Sequence, residues 1–343
     1  MKISIVTGFQ WHARELGDAF ESLGHDVVYI STLKFASKGK RVPLRILMSL
    51  SERMPILKLI VRPTFSLISL IKARESDLVI VWSSFGYFFT PKFTKMKVFL
   101  IRGNFHIDTQ FKLLGIHGGL NYRVSQILEN HDYANATRIT VPTENIALDK
   151  TWGELAKKLV VAPYGFKASQ GNKLKSLEFP LEVVFAGALS YRKGFDRLVD
   201  IFGEPCPGIN FTAIGQKEFA RQKLPDWWRY LGKVSHERAL AEIANSHILI
   251  LLSREEGMAR VGQEALAAGL PVLATPESGL HAWLSQGAGI EISSHPTLDE
   301  VVYSIKEIAS NYKHYSERAI QVSSSWTWED HANILLGALV HES

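Results

Sequence analysis

Two glutamates, Glu256 and Glu264, stand with seven residues between them in the stretch from Ile248 to Leu280, ILILLSREEGMARVGQEALAAGLPVLATPESGL. An all-helical connection would set them about 12 Å apart along the axis at ~1.5 Å per residue, the scale of a sugar joined through two phosphates to a nucleoside. One carboxylate could then accept hydroxyls from a hexose and the other hydroxyls from a ribose. Between them, the amides at the start of a helix, from Gly257, Met258, Ala259, Arg260 and Val261, would face the diphosphate. By spacing alone, the pair fits two ordinary solvated glutamates as well. A second set of candidates follows Gly187, where Arg192 and Lys193 precede Gly194. Cations in a first helical turn are mildly unfavourable, so a clamp on a diphosphate explains them better than a plain surface does. His106 follows the run Val98 to Ile101; its imidazole could donate to a sugar hydroxyl or serve as a hydrogen-bonded structural group. Neither an Asp-x-Asp nor a His-Glu-x-x-His run occurs, so no metal-ligating motif is offered.

The elements that must hold these groups alternate strand and helix. Ile248 to Leu252 has the length and branching of a fully buried parallel strand. A polar loop carrying Glu256 follows, then a short helix through Ala268 stopped by Gly269 and Pro271, and a second buried strand from Pro271 to Thr275. Glu256 therefore falls at the carboxyl end of a strand, where open α/β sheets take ligands. The chain opens in the same way, with a strand at Lys2 to Val6, Gly8 in the first turn, a helix from about Ala13 to Leu23 and a strand at Val27 to Ile30. Further buried strands are expected at 77–82, 98–101, 181–186 and 210–215, and helices at 123–130, 238–245, 296–312 and 328–339. The polar run Lys167 to Leu177 reads as a linker.

The pattern Glu-Gly-x-x-Arg-Val-x-x-Glu-Ala-x-Ala-x-Gly-x-Pro-Val, set after a buried strand and Ser253, closely resembles the signature of the family 4 retaining glycosyltransferases of the GT-B fold. Gly24-His25-Asp26-Val27, Leu159 to Gly165 and Lys193-Gly194 resemble further parts of it. The resemblance implies an α/β protein of two Rossmann-like domains facing a central cleft. The acceptor-binding domain would span 1–166, the linker 167–180 and the nucleotide-sugar domain 181–325, with a last helix at 326–343 packing back on the first domain. It also implies that Glu256 orients the donor hexose, Glu264 binds ribose and His106 contacts the transferred sugar. Gly8, Gly187, Lys193 and the backbone near Val234 would line the donor site. This chain departs from the family at two points: Gly8 stands alone where the family shows a glycine pair, and Ala188 replaces an arginine, for which Arg192 is the neighbouring substitute. The function implied is transfer of a hexosyl group, from a UDP- or GDP-sugar as co-substrate and with no further cofactor, to a glycan or lipid-linked acceptor in bacterial surface polysaccharide or glycolipid synthesis.

At 343 residues, with 46% hydrophobic and 21% charged residues, the chain fits two ordinary domains. Cys206 is the single cysteine, so a reducing cytoplasm is the natural expectation. The net charge of +5 conceals an asymmetry: residues 1–165 hold 22 Lys and Arg against 13 Asp and Glu. Much of the excess falls between 31 and 74, where Lys38, Lys40, Arg41, Arg45 and Arg53 interleave with Leu, Ile, Met and Phe. Helices with one oily and one cationic face can lie on an anionic membrane, at about 1 kcal/mol per basic residue, or pack on a core with snorkelling stems. The first reading places the protein peripherally on the inner face of the membrane. The block 31–74 shows no recognisable nucleic-acid module, and no nucleic-acid partner is expected. Two other functions compete with glycosyl transfer, a sugar-nucleotide epimerase of the same fold and a non-catalytic membrane or nucleic-acid binder.

Overall fold

The computed structural model describes the chain except for residues 8–9, 32–53, 83–96, 103–106, 114, 116–117, 168–175, 219–222 and 341–343. The chain divides into two compact units, one of residues 1–164 with 328–343 and one of residues 165–327.

In the first unit the elements run β1 (Lys2–Thr7), α1 (Gln10–Ser22), β2 (Asp26–Ser31), α2 (Pro55–Lys72), β3 (Leu78–Trp82), β4 (Lys97–Ile101), α3 (Ile107–Leu113), α4 (Leu120–Asn135), β5 (Arg138–Val141), α5 (Glu144–Ala147) and β6 (Leu159–Val161). The strands form one parallel sheet in the order β2-β1-β3-β4-β5-β6, with Ile5 opposite both Tyr29 and Ile80. Strands covered on both faces carry near-continuous apolar runs, and LVIVW and KVFLI are such runs. Val79, Val81, Val98, Leu100 and Ile139 pack with Tyr133 and Trp152 into one core.

The second unit runs β7 (Leu181–Ala186), α6 (Phe195–Ile201), β8 (Ile209–Ile214), β9 (Arg229–Gly232), α7 (His236–Ala244), β10 (Ile248–Leu251), α8 (Arg260–Ala267), β11 (Val272–Ala274), α9 (His281–Trp283), β12 (Gly289–Glu291), α10 (Leu298–Ser310) and α11 (Tyr312–Ser324). Its sheet is also parallel, in the order β12-β11-β10-β7-β8-β9. The chain moves outward from β7 to β9, then returns to lay β10 on the other flank of β7, with Ile248 opposite Val183. Strand order therefore reverses between β7 and β10, the position in an open α/β sheet where ligands bind at the carboxyl ends of the strands.

The last helix, α12 (Trp328–Val340), belongs to the first unit. The Trp328 ring lies 5.8 Å from Trp82 and 6.1 Å from Tyr164, and His331 Nδ1 is 2.9 Å from the Pro163 carbonyl. Several helices differ from the sequence expectation, the short α3, α5 and α9 among them. α4 extends well beyond 123–130 at both ends, and α11 was not anticipated at all. The buried positions of α11 are Tyr312, Ser316, Ala319, Val322 and Ser323, too small and polar a set to give a clear apolar stripe.

Candidate active site

Two loops meet at the reversal between β7 and β10. Ile248 to Leu252 are fully buried, which at ~1.5–3 kcal/mol per large apolar side chain fixes the strand firmly and with it the start of the loop 253–259. On the neighbouring side, the turn after β7 passes through Ser190, Tyr191, Arg192 and Lys193 into α6. Gly194 makes the passage possible. Its φ is +69°, and a Cβ there would lie 1.8 Å from the Leu252 carbonyl oxygen, so any side chain would push the turn off the end of β10.

Three arginines then tie the loops together. Arg254 donates its backbone N–H to the Arg192 carbonyl at 2.8 Å and its guanidinium to both Asp196 oxygens at 2.6 Å, while stacking 3.8 Å over the Tyr191 ring. Burial works to raise the Asp196 carboxyl, but the hydrogen bonds and charge of Arg254 outweigh it and hold the group below its usual range. Arg197 donates to the carbonyls of Leu252 and Ser253 at 3.1 and 3.4 Å. Arg192 Nη1 donates to the Glu255 carbonyl at 2.8 Å.

Glu256 is held at the centre of this frame. Its side chain is 9% exposed, and its carboxylate is ion-paired to Lys193 Nζ and lies 3.4 Å from Arg192 Nη1. The Ser253 hydroxyl donates to it at 3.2 Å, and the Ser253 carbonyl is fixed by Thr275 Oγ1 at 2.7 Å. Removing one partner from an ion pair this buried costs ~3–5 kcal/mol. A diphosphate competing for Arg192 and Lys193 would release Glu256 to accept hydroxyl groups instead.

The other expected residues are placed as follows. The Gly187 amide bonds the Ile214 carbonyl at 2.9 Å, and a Cβ on Gly215 would fall 1.7 Å from the Gly187 carbonyl oxygen. Val234 follows β9 and is half-buried. Glu264 lies on α8 with His236 Nε2 3.7 Å from its Oε1. Gly257, Met258 and Ala259 are buried, and Arg260 and Val261 form the first turn of α8. Two parts of the spacing argument need correction. α8 begins only at Arg260, so the all-helical distance between Glu256 and Glu264 does not apply, because the backbone from 256 to 259 is loop. The Ala259 amide is donated to the Ser278 carbonyl at 2.8 Å and is not one of the available anion donors. Gly8, His106, Lys38, Lys40, Arg41, Arg45 and Arg53 lie outside the described residues. Sequence reasoning passed over Ser253, Arg254, Glu255 and His236; a count of charged residues in the loops after β7 and β10 would have flagged Arg254 and Glu255. Among the described residues no group of three or more His, Cys, Asp or Glu gathers with metal-ligand geometry.

Residues 167–322 match the family described as glycosyl transferases group 1. The match covers a little under half of the chain. The matched segment lies in the second unit and includes the whole Lys193–Glu256 cluster. The chain is 25% identical over 173 residues to the O-antigen biosynthesis glycosyltransferase WbnH of Escherichia coli, a match covering 48% of each chain. The likeness thus spans about half the length of that relative. Two solved structures share the fold over almost the full length. WaaG, a glycosyltransferase involved in lipopolysaccharide biosynthesis, has a TM-score of 0.67 at 13% identity, covering 99% of this chain and 100% of that one. HepE of Anabaena in complex with UDP and glucose has a TM-score of 0.64 at 15% identity, covering 99% of both. The two parallel six-stranded sheets with their helices are the GT-B fold.

Proposed function

We propose that this protein is a retaining glycosyltransferase that moves a hexosyl group from a nucleoside-diphosphate sugar to a glycan or lipid-linked acceptor, in the synthesis of a surface polysaccharide or glycolipid. One observation carries the reading: Lys193 and Arg192 from the turn after β7 converge on Glu256 from the loop after β10, at the point where the sheet reverses its strand order. The two cations meet the charge that develops on the departing diphosphate, in a setting where water is largely excluded. Glu256, released from them, accepts hydroxyls of the hexose and holds the anomeric carbon in line, and Glu264 accepts from the ribose. The leaving phosphate oxygen takes the acceptor proton on the face it vacates, which preserves the anomeric configuration. Likeness to WbnH and the resemblance to the family 4 signature support the polysaccharide setting.

The acceptor side rests on the first unit. α2 carries Lys58, Arg62 and Lys72 and no acidic residue, and Ile56, Ile60, Leu67 and Ile71 stand exposed along it, a pattern suited to an anionic bilayer that presents a lipid-linked acceptor. Among the described residues no helix is long and apolar enough to cross a membrane.

The test begins with thermal shift against UDP-, GDP- and ADP-sugars, where a donor at about 100 times its Kd stabilises by ~2.7 kcal/mol. With the donor found, Glu256→Gln, assayed well below a Tm that the lost ion pair lowers, should reduce turnover by about 10²–10³-fold while the protein stays folded. Parental turnover in that variant, or an inverted anomeric centre in the product, would sink the reading. An epimerised sugar formed from donor alone would replace it with the epimerase.

A further inference from the structure

Glu255 has no task in the account so far. Its side chain is 1% exposed, its Oε2 lies 3.8 Å from Arg192 Nη1, and its Oε1 is buried without a hydrogen-bond partner. Native proteins keep few such atoms, because a buried polar group left unpaired is costly. The charged groups facing it are Arg192 and Lys193 from the turn after β7 and Glu256 from its own loop; Arg254, its other neighbour in the chain, is turned to Asp196. Burial pushes the Glu255 carboxyl above its usual range, against the pull of Arg192 and with a push from Glu256. The cluster holds two cations and two carboxylates. A sugar nucleotide brings two more negative charges, and both cations must turn to them. Glu256 then gains the hydroxyls of the sugar, whereas Glu255 is left buried with nothing to offset its charge.

We propose that binding of a nucleoside-diphosphate sugar is coupled to uptake of one proton at Glu255, which makes this residue the proton-linked positioning group of the donor site. The inference rests on the donor site proposed above. The proton comes from solvent and resides on the unpartnered Oε1, giving a neutral acid that can donate a hydrogen bond. Because the bound state has the higher proton affinity, donor affinity rises as pH falls, by up to about tenfold in Kd per pH unit between the free and bound pKa values.

Calorimetric titration of the full chain tests this, using whichever of UDP-glucose, GDP-mannose and ADP-glucose binds most tightly. Their phosphates are diesters with no proton to exchange near neutrality. In buffers of different ionisation heat the parent protein should take up a fraction of a proton approaching one. Glu255→Gln, which imitates the protonated acid, should take up none and should bind at high pH as tightly as the parent does at low pH. Infrared difference spectra of the parent should show a protonated-carboxyl band appearing with the ligand, a readout that does not require the variant to fold. Binding without proton uptake, or without that band, overturns the inference and leaves the donor site standing. Uptake undiminished in Glu255→Gln overturns it in favour of another group such as His236. Failure of all three nucleotides to bind removes the donor site and this inference with it.

Discussion

In the proposed donor site Glu256 would exchange its ion pairs with Lys193 and Arg192 for the hydroxyls of a sugar. That exchange would account for two carboxylates side by side among the cations proposed to meet a diphosphate. Glu255 experiences the arrangement differently, because its burial has a consequence for stability even without ligand. Its carboxyl is raised above the ordinary value of 4.5, so the folded protein binds this proton more tightly than the unfolded chain does. The stability so contributed is fully present below the unfolded pKa and is lost as pH rises through the folded one. Glu255→Gln carries no such loss, so its Tm relative to the parent should climb as pH is raised above about 4.5. Melting curves over a pH series check this, and a Tm difference that stays flat would mean that Glu255 titrates like a solvated glutamate. Glu256 and Lys193, which the structure brings together, are singled out through the pattern that resembles the family signature. Arg254 and Glu255 stayed hidden because their partners, Asp196 and Arg192, lie 58 and 63 residues away, and nothing local encodes such a pairing.

Strands were legible where helices were not always, and the reason is burial. β10 is covered on both faces, so its sequence, ILIL, is apolar without interruption, whereas α11 buries serine and alanine and leaves little periodic signal. α2 is the reverse case, an element with more apolar surface than its packing consumes. Ser66, Ser69, Leu70 and Ala73 face inward there and at its end, while Ile56, Ile60, Leu67 and Ile71 are 61%, 64%, 47% and 55% exposed. With steps of four, seven and four residues these lie along one face of the helix. If the face meets lipid, the protein should sediment with vesicles containing phosphatidylglycerol, and less so with neutral ones or at high salt. Ile60→Glu together with Ile71→Glu should reduce the bound fraction several-fold without lowering Tm, since both side chains are already in water. Equal sedimentation of parent and variant would assign the stripe another purpose.

At the scale of the molecule the two units are unequal in how the chain builds them. The second is one uninterrupted segment, Gly165–Thr327, with a core of its own in which Leu181, Phe185, Phe195, Phe211, Ile250 and Ile305 are buried together. The first is completed only when the chain returns with α12 and sets Trp328 against Trp82 and Tyr164. Strand–helix alternation is a local feature that the sequence displays, and the return of the last helix is implied by the family resemblance alone; which side chains pack where, as Trp328 does on Trp82, is not local. Every side chain in the Arg192, Lys193, Glu255 and Glu256 cluster comes from the second unit, as do the arginines that brace it. A fragment of residues 165–327 should therefore melt cooperatively and bind the donor nucleotide sugar within about tenfold of the full chain's Kd, a loss of no more than ~1.4 kcal/mol, while transferring no sugar. Calorimetry on the fragment decides the matter. A fragment that melts cooperatively but does not bind would mean that the donor requires groups from the first unit, and the cluster between β7 and β10 would then be only part of the site.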